Sequence, residues 1–190
     1  MHATTRPRPS TSRLLRAMLP LLTIAMLLAS APAVAAHHGG SSLWDVMRAT
    51  AKYHQLDRAI ADGYGEFYVC TDNNTPGVGA MGQHYANGAL VGDPALDPLH
   101  PEVLMYEPTR DGGMRLVGME YVVLQADWHA AFGSAPPVLF GRELEAVAAG
   151  NRYGLPPFYE LHVWLWKYNP SGLFSDWNPR VSCRGNGDPA

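Results

Sequence analysis

The spacing of apolar residues changes near residue 64. In SSLWDVMRATAKYHQLDRAIADGYG, residues 41–65, the positions Leu43, Val46, Met47, Thr50, Ala51 and Tyr53 recur at helical intervals. Ser41 or Ser42 can cap the start, Asp57 reads as a second N-cap, and Gly63 as a C-terminal stop. The stretch predicts two helices or one kinked helix, with His54 at the junction. After Gly63 the chain reads as strands and connections. EFYVC is a short strand, and TDNNTPGVGAMG a long turn-rich loop. PEVLMYEP and MRLVGMEYVVLQ, joined by the turn RDGG, predict a β-hairpin. ADWHAAFGSAPP reads as a loop, GRELEAVAAGNRYGLPP as holding a short helix, and FYELHVWLWKYN as the longest strand. Helices first and strands after predict an α+β fold: N-terminal helices packed on a largely antiparallel sheet.

Period-two alternation divides the last strand into unlike faces. Glu160, His162, Trp164, Trp166 and Tyr168 share one, and Leu161, Val163, Leu165 and Lys167 the other, which belongs under the helices. Aromatics around one polar group are the material of ligand pockets and also of ordinary cores. In the hairpin, Glu120 shares a face with Leu116, Gly118, Val122 and Leu124. A carboxyl there must be paired, exposed or protonated, and Gly118 leaves room for close approach. Glu107 ends the preceding strand. His84 follows the glycine-rich stretch GAMGQ, where glycine permits positive φ and close backbone contact.

His84, Glu120 and His162 together have the composition of a two-histidine, one-carboxylate site for a divalent metal, zinc or copper. Their spacing carries no signature, since the chain has no HExxH and no GxSxG nucleophile elbow. A hydrogen-bonded Glu–His pair without metal is the plainer alternative.

Composition changes the picture at the N-terminus. Arg6, Arg8, Arg13 and Arg16 precede the short apolar run Leu21 to Ala29, and APAVAA then offers small residues at peptidase positions. Residues 1–36 are expected to be a signal peptide, cleaved before Ala36 or His37, so that no stable membrane anchor remains. The new terminus would carry a histidine first or third; the third position suits Cu(II) or Ni(II). Residues 37–42 read as a flexible linker, 43–183 as one α+β domain and 184–190 as a disordered tail. The mature chain keeps ten basic against 17 acidic residues, a formal charge of −7, which argues against nucleic acid as a partner. Two cysteines in an exported chain read as one disulfide, Cys70–Cys183.

The strings KYHQLDRAIADGY, GMEYVV, PPVLFG and HVWLWKYNPSGLFSDWNPRVSC resemble an uncharacterised family of exported bacterial proteins, across Leu43 to Cys183. The resemblance implies export and a single domain and assigns no activity, so the site residues gain no role from it. The reading is an exported binding module for an unknown small ligand, protein or metal, with His84, Glu120, His162, Trp164 and Trp166 at its site. The alternatives are a hydrolase or isomerase using the same His/Glu residues for acid–base work, and a scaffold with no small-molecule site.

Overall fold

Ser42 opens the first helix in the computed structural model, which describes His2 and residues 40–185. Apart from His2, the expected signal peptide and its cleavage point lie outside the described residues, as do 37–39 of the linker and 186–190 of the tail. Helix α1 (Leu43–Thr50) starts with a capping box. Ser42 Oγ accepts from the Asp45 N–H at 3.3 Å, and Asp45 Oδ2 accepts from the Ser42 N–H at 3.0 Å. A 3₁₀ turn, Ala51–His54, leads to α2 (Leu56–Ala61). The break between them is the extended residue Gln55, which holds the N-cap position that the sequence reading gave to Asp57; Asp57 lies in the first turn. Gly63, at φ +95°, turns the chain into the sheet.

Six strands form one antiparallel sheet, curled into a half-barrel, in the order β1 (Gly65–Asp72), β2 (Ala80–Ala86), β3 (Val103–Pro108), β4 (Met114–Leu124), β8 (Phe158–Val163), β7 (Glu145–Val147). The short helix α3 (Gly88–Val91) joins β2 to β3, and α4 (Gln125–Phe132) follows β4. Strands β5 (Val138–Leu139) and β6 (Arg142–Glu143) make a separate two-stranded ladder. The fold is α+β, and among the described residues no helix is long and apolar enough to cross a membrane.

The helix-covered face of the sheet carries the main core. Val46, Tyr53 and Ala59 pack there with Leu104, Tyr106, Met119, Tyr121, Val123, Leu161 and Val163. Its buried hydroxyls are satisfied: Tyr64 donates to Pro101 O at 2.6 Å, Tyr106 to Tyr53 O at 2.8 Å, and Tyr121 to Pro98 O at 2.6 Å. The other face holds two smaller apolar groups. One is Val103, Val122 and Phe158, against Tyr153 and Leu155; the other is Ala80, Met105, Val117, Trp164 and Val181.

Residues 164–183 form a strap across the end of the sheet. Trp164 N–H donates to Leu173 O at 3.0 Å, Asn178 exchanges backbone bonds with Ala80 at 3.2 Å, and Cys183 is bridged to Cys70. Inside the strap, buried Glu107 takes Lys167 Nζ on both oxygens, at 2.8 and 2.9 Å, and the Ser182 N–H at 3.1 Å.

Several elements differ from the sequence reading. The last strand ends at Val163, because the Trp164 N–H bonds the strap; β4, with 11 residues, is the longest strand. ADWHAAFGSAPP contains all of α4 but its first residue, a helix with no fully buried residue and so no apolar stripe to read. GRELEAVAAG contributes strands β6 and β7 rather than a helix, since the edge of β8 recruits residues 145–147. The long loop is shorter too: Ala80, Met81 and Gly82 already belong to β2.

Candidate functional site

His84 lies within β2, not just past a loop. Gly82, two residues earlier, sits at φ +94°, and a Cβ there would stand 2.5 Å from Tyr106 O. Glycine is therefore what lets β2 lie against β3 at this point. Gly118 does the same for β4 and β8: a Cβ would come within 2.8 Å of Val163 O and 2.7 Å of Met105 Cε. A register shift between Met105 and Tyr106 makes room for Val117 as an extra residue in β4. It sends Leu116 to the helix-covered core, away from the face of Glu120.

These local features bring His84, Glu120 and His162 together on the face opposite the helices. Glu120 is the register partner of His162 across β4–β8. His84 Nε2 is 3.5 Å from Glu120 Oε2, and the two imidazole rings lie edge to face with centroids 6.4 Å apart. One donor atom from each residue falls within 4.8 Å of the others, and all three residues are buried. Among the described residues, the buried side-chain nitrogens and oxygens without a hydrogen-bond partner are His84 Nδ1 and both ring nitrogens of His162.

Burial sets the electrostatics. Desolvation, helped by the neighbouring His162, lowers the His84 pKa to about 3, and desolvation lowers His162 to about 4, so both rings are neutral at pH 7. The His84–Glu120 contact is therefore not an ion pair. Desolvation also raises the Glu120 carboxyl well above the ordinary range, with the Glu160 charge and a shared hydrogen bond adding to it. Glu160 is pushed up to about 7, mainly by burial.

Two residues that the sequence reading left out of the site belong beside it. Glu160 neighbours His162 by alternation, a signal that was visible. Asp176, on the strap, places Oδ1 3.5 Å from His162 Nδ1; nothing in its sequence context foretells this. Tyr153 closes the far side, its ring centroid 6.3 Å from that of His84. The tryptophans fare differently. Trp164 is buried in the flanking apolar group and donates Nε1–H to Ser175 O at 2.5 Å. Trp166 is not on the His162 face: beyond Val163 the alternation has ended, and its ring meets His54 at 4.4 Å and Thr50 Oγ1 at 3.3 Å, on the helix side. Tyr168 is exposed.

No family model, curated protein or solved structure matches the chain.

Proposed function

We propose that this domain binds one divalent transition-metal ion through His84, Glu120 and His162. The observation that carries the reading is the set of unpartnered imidazole nitrogens, buried around a carboxyl on an otherwise well-satisfied sheet. A tetrahedral zinc ion with bonds of about 2.0–2.1 Å spaces its ligand atoms about 3.3 Å apart. The 3.5 Å His84–Glu120 separation is already close to that, and the His162 donor atom lies within 4.8 Å of both. Neutral imidazoles are ready ligands, while Glu120 would give up a proton on binding. Two imidazoles and a carboxylate suit Zn(II) or Cu(II).

The compartment is part of the proposal. The disulfide fits an oxidising environment, and the leader and the C-terminal string support export of a bacterial protein. The test is zinc content after export to an oxidising compartment and dialysis against a weak chelator. One zinc per wild-type chain and none in the double variant His84→Leu/His162→Leu is the expected result; a zinc-free wild type that also takes up no Cu(II) refutes the reading.

A second reading rests on the pocket of about 440 Å³ that reaches Glu160 and His162. An ion with an open fourth position there would activate water, and the domain would be a hydrolase. Zinc-dependent cleavage of chromogenic esters or phosphoesters, lost in the double variant, would favour it.

A further inference from the structure

Glu160, His162 and Asp176 each offer a donor atom within 4.8 Å of the other two. They lie in the wall of the same pocket, together with Arg142, Glu145 and Phe174. The inner set is buried throughout, whereas Asp176 is about one-third exposed, with 35% of its side chain accessible. His162 is common to both sets, 1% exposed, with Nδ1 lacking a hydrogen bond and 3.5 Å from Asp176 Oδ1. We propose that Glu160, His162 and Asp176 form an outer cation position, a loading station through which a divalent metal ion passes from the pocket to His84 and Glu120. This rests on the metal-binding reading above and adds the route.

Three features support a station in place of a second permanent site. A neutral imidazole has one acceptor lone pair, so His162 serves one ion at a time, and the inner set holds the additional imidazole. The pocket rim is acidic, with Glu143, Glu145, Glu160 and Asp176 against Arg142, whose guanidinium is drawn over the Phe174 ring at 5.3 Å; such a rim concentrates cations. Asp176 is also held in place. Trp164 Nε1–H bonds Ser175 O on one side, and Asn169 Nδ2–H bonds Trp177 O at 3.0 Å on the other. Its carboxyl is thus presented to the ring of His162 by a strap tied down at Cys183.

The experiment follows Zn(II) transfer from a chromophoric chelator to the full chain, disulfide intact, by stopped flow and at equilibrium. Wild type, Asp176→Asn, Asp176→Glu and Glu160→Gln are compared, with near-ultraviolet circular dichroism to verify the fold. Loss of the Asp176 or Glu160 carboxylate should slow loading by about tenfold or more and leave the final occupancy at one ion per chain. Asp176→Glu should load like the wild type. Wild-type loading rates in Asp176→Asn and Glu160→Gln overturn the station, and so does loss of the bound ion in either, which would make that carboxylate a ligand of the main site. If Asp176→Asn does not fold, Glu160→Gln decides by the same criteria. A wild type that takes up no zinc defeats the metal-binding reading itself, so the two failures are distinct.

Discussion

Replacing His162 by leucine should make the metal-free protein more stable. The ring is 1% exposed and neither nitrogen has a hydrogen-bond partner. A buried polar group left without its bond costs about 1–3 kcal/mol, and leucine removes both nitrogens at similar volume. Imperfect shape returns less than about 1.5 kcal/mol. The net gain at neutral pH is therefore about 1–2 kcal/mol, a rise of about 2–8 °C in Tm for a domain of this size. Acid widens the gap. The His162 pKa falls from 6.5 to about 4 on folding because burial penalises the charged ring. The unfolded chain thus binds a proton first, and the stability present above pH 6.5 is lost as pH drops toward 4, at about 1.4 kcal/mol per unit. The leucine variant lacks this loss and keeps only that of His84. Urea unfolding with chelator present, followed by tryptophan fluorescence at pH 7.5, 6 and 5, reads both effects. With zinc at 100 times its dissociation constant the order should reverse, since only the wild type gains the roughly 2.7 kcal/mol of linkage. A leucine variant less stable than wild type at every pH, without metal, would show that the imidazole serves the fold.

Cys183→Ser should destabilise the domain by about 4–5 kcal/mol on the loop-entropy account, given a sequence separation of 113; urea midpoints with and without reductant measure this, and two titratable thiols in the unreduced wild type would contradict it. Gly82→Ala should cost more than about 2 kcal/mol, because its Cβ would meet Tyr106 O at 2.5 Å at φ +94°, and it should weaken zinc retention through the displaced His84; wild-type stability would refute the close-approach argument. Glu102, buried with Oε2 accepting the Val122 N–H at 3.1 Å, has its carboxyl pushed up to about 8 by desolvation. Stability from this raised pKa is present below pH 4.5 and lost as pH climbs toward 8, so Glu102→Gln should match wild type at pH 5 and exceed it at pH 8.5, and equal pH profiles would count against it.

What the sequence made legible was whatever depends on local pattern. The capped first helix, the β3–β4 hairpin and the two faces around His162 follow from periodicity and turn chemistry, and the disulfide from cysteine count. The misreadings have physical causes. Helix α4 has no fully buried residue, only Trp128 packing partly against the core, so its residues carry no stripe. Residues 145–147 have helix-forming character, but the edge of β8 offers backbone partners that override it. Trp164 keeps the His162 face, but Trp166 continues the alternation of β8 in sequence only, because the strap takes the Trp164 N–H at 3.0 Å. Asp176 could not be read from any pattern; its position follows from a chain reversal fixed by Asn169, Asn178 and Cys183.

The two faces of the sheet differ in how they treat buried polar groups, and that difference marks the candidate site more firmly than any single distance. On the helix side, Tyr64, Tyr106 and Tyr121 each bury a hydroxyl and each finds a carbonyl. On the strap side, Glu107 is fully buried and matched by Lys167 and the Ser182 N–H. The fold is thus able to pair what it buries. Only around His84 and His162, among the described residues, are buried side-chain nitrogens left over, on a strand face where valine or leucine would pack without penalty. Unmet polar demand confined to one cluster, beside a pocket and between strands brought close by Gly82 and Gly118, is expected where a partner absent from the chain completes the set. An ion at that point would take up the leftover imidazole nitrogens, which hydrogen bonds within the chain do not.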